Sequence, residues 1–553
     1  MALARSRSVA LVGVDAHLVD VEVDVGQGVP EFTLTALSDR VLGQVKHRVR
    51  SAIANSGEKW PNRRTTVSLS PATVPKSGSR FDLAIAATLL AAAEAMPAGE
   101  LTSRVVIGEL DLAGRVRAVT GVLPSVIGAY RAGARQFVVP RANLGEARLV
   151  AGAEIVGVGS LRELCAWARG EAALDDDEAA AVSAGDVAPG EPPDFHDVLG
   201  QEAARHAMEV AAAGGHHVLM LGPPGVGKTM LAERLPGILP DLSDDEALEV
   251  TGLHSVAGRL RPGAPLITRP PFCAPHHTAT VASIVGGGSG LAAPGAVSLA
   301  NRGVLFLDET PLFSPRVLDA LREPLESGTV TLARAGGVVT YPARFQLVLA
   351  ANPCPCSAAG QDAALAACSC PSATARAYQA KLAGAFRDRL DLVIDLLPVS
   401  RALIVDSGVS GLRSVGSGPV GLGAAGLGSA GLGALGLGST VESSAAIRAR
   451  VQAARERSAA RLAGTPWSTN AEVPGPVLRR RWPVAPSAGR PLRRMVDAGV
   501  LSNRGIDRVL KVSWTLADLA QRDQPSADDV QLALCLRAGR AVADLAGIWG
   551  ATA

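Results

Sequence analysis

The sequence predicts an α/β protein that ends in a helical unit, and three patterns lead to this fold class. Over residues 1–170, short stretches that alternate apolar and polar residues are interspersed with stretches of helical periodicity. Around residue 222, an apolar run leads into a glycine-rich loop and then a helix, as in nucleotide-binding parallel sheets. From residue 441 onward, the apolar spacing is that of helices alone.

The first unit, residues 1–170, is predicted to be an α/β domain. Its strand-like stretches are short and apolar or alternate in polarity, and its helix-like stretches carry apolar residues on one face. The predicted strands are His17–Val25, Val105–Leu110 and Phe137–Val139, and the predicted helices are Asp39–Ser56 and Asp82–Ala95.

Composition divides the rest of the chain. Residues 171–194 are acidic and rich in small residues, which predicts a linker to a second α/β domain at 195–398. Residues 407–440 repeat Gly, Leu and Ala and predict a flexible low-complexity insertion, because such frequent glycine supports neither helix nor strand. The final unit, 441–553, is predicted to be helical, with helices at Ala445–Ala463, Asn503–Gln521 and Ser526–Arg540.

Charge and apolar runs exclude several classes of protein. The formal charge of +2 excludes a uniformly basic nucleic-acid coat, although residues 441–553 carry 17 basic and 10 acidic side chains. The longest apolar run, Leu83–Ala93, is half the roughly 20 residues that a membrane span needs. No secretory signal can be recognised at the N-terminus, and the seven cysteines do not form a recognisable disulfide framework. The sequence therefore predicts a cytoplasmic protein with no membrane partner.

The strongest motif is a phosphate-binding loop of the form G-x-x-x-x-G-K-[ST]. Its eight residues are Gly222, Pro223, Pro224, Gly225, Val226, Gly227, Lys228 and Thr229. They follow an apolar strand and open a helix, so the backbone N–H groups can surround a phosphate at a helix N-terminus. Lys228 is expected to reach the β and γ phosphates of ATP, and Thr229 to bind Mg²⁺.

Two further apolar strands end in polar residues. Val304–Leu307 is followed by Asp308 and Glu309, and Phe345–Ala351 is followed by Asn352. Because parallel strands in one sheet end at the same edge, these side chains are predicted to meet the phosphate loop. Asp308 would hold Mg²⁺, Glu309 would activate the attacking water and Asn352 would orient it. A turn-forming Asn before proline is the other interpretation of Asn352.

Cysteine and histidine clusters leave alternatives open. Cys354, Cys356, Cys368 and Cys370 offer four thiols, which suits tetrahedral Zn²⁺ or a set of reduced thiols without metal. His276 and His277 follow each other in a segment flanked by proline and glycine. This segment is either a metal ligand pair or, as we favour, a loop that faces a ring pore or a neighbouring subunit.

A series of motifs in order along nearly the whole chain resembles the YifB/ComM family of magnesium-chelatase-like AAA+ ATPases. Besides the phosphate loop and the strand before Asp308, the matching segments are 75–83 (PKSGSRFDL), 107–110 (IGEL), 274–278 (APHHT), 321–326 (LREPLE), 351–356 (ANPCPC), 388–391 (DRLD) and 502–505 (SNRG). The resemblance implies a homo-hexameric ring with ATP and Mg²⁺ between subunits, an AAA+ core at 195–398 and a helical lid at 441–553.

The same resemblance implies roles for two arginines. Arg389 matches the arginine finger that stabilises the phosphates held by a neighbouring subunit, with Arg387 as a nearby competitor. Arg504 matches the sensor-2 arginine, which contacts the nucleotide from the helical lid.

The first domain resembles the Lon proteolytic fold, but its catalytic pair is missing. The position of the Lon serine is Arg80, and the position of the Lon lysine is Leu123. Lys76 and Ser79 lie nearby in sequence, although a Ser–Lys pair would need hydrogen-bond contact. The resemblance therefore implies a Lon-like domain without proteolysis.

Three functions follow from these expectations. The family resemblance and the basic C-terminal block, which includes the arginine runs at 479–481 and 493–494, favour an ATP-driven ring motor that migrates DNA branches in recombination or DNA uptake. A chelatase-type motor that remodels a protein partner uses the same ATPase residues and is the alternative. A Lon-like protease is disfavoured by Arg80 and Leu123.

Overall fold

A computed structural model describes most of the chain. The described residues are 2–35, 39–76, 78–174, 193–261, 263–288, 291–334, 336–354, 370–383, 389–397, 442–499 and 501–539. Most of the predicted linker and the whole predicted insertion at 407–440 lie outside them.

The first unit contains a mixed seven-stranded sheet with helices packed against it. Its elements are β1 (Ala2–Val12), β2 (Asp15–Gly26), β3 (Phe32–Thr35), α1 (Asp39–Asn55), β4 (Arg64–Ser70), α2 (Asp82–Ala92), α3 (Gly99–Thr102), β5 (Arg104–Val106), β6 (Glu109–Leu110), β7 (Val116–Arg117), α4 (Val122–Arg131), β8 (Gln136–Pro140), α5 (Leu144–Ala147), β9 (Glu154–Val158) and α6 (Leu161–Ala168). The strand order is β3-β4-β2-β1-β5-β8-β9, and β1 pairs antiparallel with β2 over its full length.

The strand β1 was not predicted, because arginines interrupt its apolar residues. In the sheet, Arg5 and Arg7 lie on the solvent face, 2.8 Å from Glu22 and 3.6 Å from Asp20 on β2. The opposite face buries small side chains such as Ala4, Ser6 and Ala10. The alternation that a half-buried strand needs is therefore present, with cross-strand ion pairs on its outer face.

The second unit is built on a five-stranded parallel sheet. Its elements are α7 (Glu202–Gly214), β10 (Val218–Leu221), α8 (Lys228–Ile238), α9 (Asp244–Val256), β11 (Phe272–Cys273), α10 (Val281–Val285), β12 (Gly286–Gly287), β13 (Ala293–Pro294), α11 (Ala296–Leu299), β14 (Val304–Leu307), α12 (Pro315–Ala320), α13 (Arg322–Ser327), β15 (Thr329–Arg334), β16 (Gly337–Pro342), β17 (Gln346–Ala351), α14 (Ser372–Ala383) and β18 (Leu392–Asp395). The order is β11-β14-β17-β10-β18, and every neighbouring pair is parallel. The predicted α/β class with a parallel sheet is confirmed.

The described C-terminal elements are all helical. They are α15 (Ser444–Leu462), α16 (Gly475–Arg481), α17 (Arg490–Asp497), α18 (Asn503–Leu519) and α19 (Ala527–Ala538). Ser443, Ser502 and Ser526 cap three of these helices by accepting a backbone N–H in the first turn. The apolar faces of α15 and α18 share one core with the sheet helix α7. Within the described ranges, no helix is both long and apolar enough to cross a bilayer.

A buried polar contact joins the first unit to the second. The hydroxyl of Ser255 on α9 donates to Glu146 Oε2 at 2.6 Å, and the Gly121 N–H donates to the Ser255 carbonyl at 3.1 Å. Gly121 has φ +74°, and a side chain there would meet Leu11 and Val256. The two units therefore meet through close backbone contact at the end of α9.

A fully buried carboxylate holds the C-terminal helices on the sheet. Asp391, just before β18, accepts from Arg508 Nη1 of α18 at 2.8 Å and from the His217 backbone N–H at 3.2 Å, and His216 Nδ1 lies 3.3 Å away. Burial alone would raise the pKa of Asp391, but the charge of Arg508 and the nearby His216 outweigh it and hold that pKa well below its ordinary value. Burial lowers the pKa of His217 to about 4, so its ring is neutral near pH 7.

We expect Asp391→Ala to destabilise the packing of α18 by about 3–5 kcal/mol, because it leaves the guanidinium of Arg508 partly buried without its carboxylate. The low pKa of Asp391 means that this stabilisation is complete above the ordinary carboxyl pKa and is lost as the pH falls below it. Denaturant unfolding followed by tryptophan fluorescence measures the loss. Asp523→Ala, which removes an exposed partner of Arg457, is the matched control and should have no measurable effect. Equal shifts in both variants would contradict the prediction.

Candidate nucleotide site

The phosphate loop connects β10 to α8 with its glycines in the left-handed region. Gly225 has φ +78° and Gly227 has φ +94°, and an added side chain at either position would enter open space. The Gly222 N–H donates to the Ala351 carbonyl at 3.2 Å and fastens the start of the loop to β17. The loop is thus an open concavity of backbone at the N-terminus of an 11-residue helix, which fits an anionic phosphate.

Lys228 lies beneath this loop with its three ammonium protons engaged. Its Nζ donates to the carbonyls of Gly222 at 2.7 Å and Pro223 at 2.9 Å, and to Asn352 Oδ1 at 3.0 Å. Burial lowers the pKa of Lys228, and the nearby Asp308 and Glu309 act against that shift. The contact to Asn352 brings together two residues that the sequence predicted at one sheet edge. A bound phosphate would replace the neutral carbonyl and amide acceptors of Lys228 with charged oxygens.

A hydroxyl and a carboxylate form the candidate Mg²⁺ ligands. Thr229 Oγ1 donates to Asp308 Oδ2 at 2.8 Å, across 79 residues of sequence. Mg²⁺ prefers oxygen ligands, and near a bound nucleotide it commonly takes one or two from the protein and the rest from phosphates and water. The Thr229 hydroxyl and the Asp308 carboxylate, next to the phosphate loop, fit the protein part of such a shell. The residues present therefore fit a nucleotide with Mg²⁺, which would neutralise charge on the transferring phosphate.

Glu309 has a constrained backbone and an exposed side chain. Its φ is +49°, in a region that non-glycine residues seldom adopt, and its N–H donates to Asp308 Oδ1 at 2.8 Å. Its carboxylate Oε2 lies 3.4 Å from His277 Nδ1. Both side chains line a cavity of about 280 Å³ together with Thr229, Asp308 and His276.

Arg389 and Arg504 lie at a different cavity, of about 770 Å³, at the opposite edge of the sheet. Its lining includes residues at or before the amino ends of four strands, whereas the phosphate loop and Asp308 follow the carboxyl ends. These lining residues are His217, Gly303, Gln346 and Arg389. Arg389 Nε donates to Glu326 at 3.2 Å. The two cavities have no lining residue in common, so the structure does not bring Arg389 or Arg504 to the phosphate loop of the same chain.

Sequence reasoning missed several polar contacts at or near these two cavities. Gln201 Nε2 donates to the carbonyls of Val226, in the phosphate loop, and Leu397, at 3.3 and 2.8 Å. His277 was noted, but its contact with Glu309 was not predicted. Glu326 was matched only as part of a motif. Each contact joins positions at least 25 residues apart, and no local pattern indicates which polar residue will be the partner.

The predicted zinc site falls partly outside the described residues, which include Cys354 and Cys370 but not Cys356 and Cys368. In the described part of the chain, no group of three or more His, Cys, Asp or Glu side chains could hold a metal ion. Zinc therefore stays a prediction without support from the structure. The competitor arginine Arg387 also lies outside the described residues.

Three family models match the chain. They are "Magnesium chelatase, subunit ChlI" over residues 194–403, "Subunit ChlI of Mg-chelatase" over 21–143 and "Magnesium chelatase, subunit ChlI C-terminal" over 441–537.

Relatives align over almost the full length. A protein of Mycobacterium tuberculosis is 49% identical over 538 residues, 97% of this chain and 99% of its own. The protein YifB of Escherichia coli is 37% identical over 538 residues, 97% of both chains. The competence protein ComM of Haemophilus influenzae is 36% identical over 525 residues, 95% of both chains.

The predicted roles of Lys228 and Glu309 separate nucleotide binding from hydrolysis. We expect Lys228→Ala to abolish ATP binding or turnover, because it removes the cation from the phosphate loop. Glu309→Gln should keep binding and lose hydrolysis, because only the water-activating carboxylate is lost. Fluorescent-nucleotide titration and phosphate release measure the two steps. Lys59→Ala, an exposed lysine of the first unit, is the control. Normal turnover in either site variant would contradict these roles.

Proposed function

The chain belongs to the YifB/ComM family of magnesium-chelatase-like AAA+ ATPases, and on that premise we propose that it is an ATP-hydrolysing ring motor that migrates DNA branches in homologous recombination or DNA uptake. The observation that carries the ATPase part is the convergence of Lys228, Thr229, Asp308 and Asn352 around one open loop. The DNA part rests on the similarity to ComM and on exposed arginines described below.

Within this proposal, the residues divide the work of hydrolysis. The backbone N–H groups of Gly225, Val226 and Gly227 and the ammonium of Lys228 bind the phosphates, while Thr229 and Asp308 supply oxygen ligands to Mg²⁺. Asn352, held by Lys228, orients the attacking water. Glu309 accepts a proton from that water once its carboxylate faces the phosphate.

The arginines act on the nucleotide of a neighbouring subunit. Arg389 and Arg504 line the cavity at the amino edge of the sheet, and the four residues of β10 alone separate the two edges by about 13 Å. A contact between the amino edge of one subunit and the carboxyl edge of the next completes the site. Arg504 therefore works across subunits, as Arg389 does, and every site of the proposed homo-hexamer is shared between two subunits.

The domain assignment follows the sequence boundaries: a Lon-like domain at 1–170, an acidic linker at 171–194, an AAA+ core at 195–398, an insertion at 407–440 and a helical lid at 441–553. Arg80, at the Lon serine position, is buried and donates to the Thr120 carbonyl at 2.6 Å and to Ser125 Oγ at 3.3 Å. Lys76 Nζ donates to the carbonyls of Pro71 and Val74 at 2.5 and 3.2 Å. These contacts support a structural rather than a proteolytic role.

A basic surface on α16 and α17 is the candidate DNA contact. We define it by five exposed arginines: Arg480, Arg481, Arg490, Arg493 and Arg494. Among the residues that the structure describes, no carboxylate lies within 4.0 Å of any of them. Arg479, which the sequence grouped with them, instead pairs with Asp507. Cations without a carboxylate partner gain most from phosphate contact, because no ion pair is broken.

A chelatase-type motor acting on a protein partner is the second candidate. The three matching family models, all described as magnesium chelatase subunits, favour it. It uses the same ATPase residues, so only the macromolecule that stimulates turnover separates the two functions.

Hydrolysis should require a neighbouring subunit. We expect Lys228→Ala and Arg389→Ala subunits to be inactive alone and to recover turnover when mixed, because some junctions then pair an intact loop with an intact arginine. An arginine finger contributes roughly 10³-fold or more to the rate. Arg504→Ala should complement Lys228→Ala in the same way. Subunits carrying both Lys228→Ala and Arg389→Ala give no rescue with either single variant, and full activity of a monomer would contradict the shared site.

DNA binding should depend on the basic surface and on salt. We expect Arg480→Ala/Arg481→Ala/Arg494→Ala to weaken binding of all sequences alike and to flatten the salt dependence by roughly one unit of log–log slope per lost phosphate contact. Fluorescence anisotropy between 50 and about 200 mM salt measures both. The control is Arg115→Ala/Arg117→Ala, two exposed arginines that already pair with Asp111.

Turnover should rise with DNA, and most with branched DNA. An assembled ring that hydrolyses ATP but neither binds DNA at low salt nor responds to it would overturn the DNA motor and favour the protein-remodelling function.

A further inference from the structure

We propose that the first unit binds single-stranded DNA through one aromatic and three basic side chains. These four residues define the Trp60 surface: Lys46, Arg50, Trp60 and Arg63. The inference rests on the proposed function for the identity of the ligand as DNA, and it adds a contact outside the motor and the helical unit. Its first support is charge, since residues 40–64 contain seven arginines and lysines and a single carboxylate, Glu58.

Two of the cations lie over aromatic rings at the edge of the sheet. Lys46 and Arg50 are about one helical turn apart on α1 and therefore project from the same face of that helix. Lys46 Nζ lies 5.9 Å from the centre of the Phe32 ring on the edge strand β3, and Arg50 Cζ lies 6.0 Å from the centre of the Trp60 ring. Because these distances are at the outer limit of a cation–π contact, both cations remain available to a ligand.

Arg48 on the same helix shows what an engaged cation looks like. Its Nε donates to Oδ2 of the buried Asp82 at 2.7 Å, so its charge is already used inside the protein. Over the ranges that the structure describes, Lys46, Arg50 and Arg63 have no carboxylate within 4.0 Å, and the two arginines are exposed. Phosphates can therefore approach these three cations without breaking an ion pair.

The Trp60 ring gives the surface a preference for unpaired bases. It lies 5.6 Å from the Phe32 ring, tilted by 44°, and is half-buried, so part of the indole is open to solvent. In a duplex the bases stack on each other and present only their edges in the grooves. An unpaired base has a free face, which can stack on an aromatic ring or on a guanidinium plane such as that of Arg50. An open ring among cations therefore favours a single strand.

The Trp60 surface lies at the opposite end of β2 from the second unit. The turn between β1 and β2 meets that unit, since a side chain at Gly13 would lie 2.6 Å from Val339 of β16. From this turn β2 runs for 12 residues to Gly26, which pairs with Arg64 in the segment after Trp60. At about 3.3 Å per residue, the two ends of β2 are roughly 36 Å apart. The contact between the units therefore leaves the Trp60 surface open.

The test measures binding of a short oligothymidylate to the full chain without ATP, by fluorescence anisotropy. We expect Trp60→Leu, which keeps an apolar side chain against Phe32, to weaken binding about tenfold. Trp60→Phe keeps a ring and should weaken it less than about threefold. Both variants should bind a blunt duplex as the wild type does, because a duplex offers no base face to the ring.

The cations are tested through the salt dependence of the same binding. Arg50→Ala/Arg63→Ala should lower the log–log salt slope for the single strand by roughly 1.4, which is about 0.7 for each lost phosphate contact. Arg115→Ala/Arg117→Ala, which removes two exposed arginines of the same unit that already pair with Asp111, is the control and should leave the slope unchanged.

A spectroscopic readout keeps the proposal falsifiable if Trp60→Leu does not fold. Stacking of a base quenches tryptophan fluorescence, so saturation with oligothymidylate should quench the wild type more than it quenches Trp60→Phe. Equal quenching in these two proteins would overturn the proposal. Unchanged single-strand affinity in a folded Trp60→Leu, an equal loss of affinity for the blunt duplex, or a wild type that does not bind oligothymidylate at low salt would also overturn it.

The proposed function has its own readout, turnover with branched DNA. If branched DNA neither binds nor stimulates turnover while single-strand binding still depends on Trp60, the DNA motor fails and this inference stands. If branched DNA stimulates turnover while a folded Trp60→Leu binds the single strand as the wild type does, this inference alone fails.

Discussion

The carboxylate of Asp391 joins three parts of the molecule that are far apart in sequence. It accepts hydrogen bonds from the His217 N–H, just before β10, and from the guanidinium of Arg508 on α18, and it lies 3.3 Å from Nδ1 of His216. Because the charge is fully buried, its cost is offset only when all of these partners are in place. Arg389 lies two residues before Asp391, and Arg504 lies one helical turn before Arg508. This buried contact therefore fixes the backbone close to both arginines at the amino edge of the sheet.

The sequence predicts which side chains meet at the candidate nucleotide site, because each of them follows from a local pattern. The glycine pattern sets the loop, and the apolar strands that end at Leu307 and Ala351 bring Asp308 and Asn352 to one edge. Contacts between residues far apart in sequence could not be predicted from local patterns. The predicted strand Val105–Leu110 is divided in the structure, because the chain leaves the sheet at Gly108, whose N–H and carbonyl pair with the backbone of Arg80 and Leu83. A side chain at Gly108 would collide with Leu83.

The first unit contacts the second unit at the end of α9, through residues near Arg80 and Gly121. Arg80 braces the turn at Thr120, the adjacent Gly121 binds the Ser255 backbone, and Ser255 binds Glu146. The other end of α9 bears Glu246 and Glu249, which pair with Arg302 at the large cavity. A single helix therefore connects the first unit to the surface where the arginines lie.

The location of the phosphate loop and of the arginines on opposite edges of one sheet gives each subunit a head and a tail. Two copies related by a twofold axis would bring like edges together and complete no site. If the site is shared between subunits as proposed, only a head-to-tail, heterologous contact completes it, and such contacts end either in a closed ring or in an open filament. An open row would always have one loop without an arginine and one arginine without a loop. Closure into a ring would supply that last site, so that every subunit of the ring would hold a complete one.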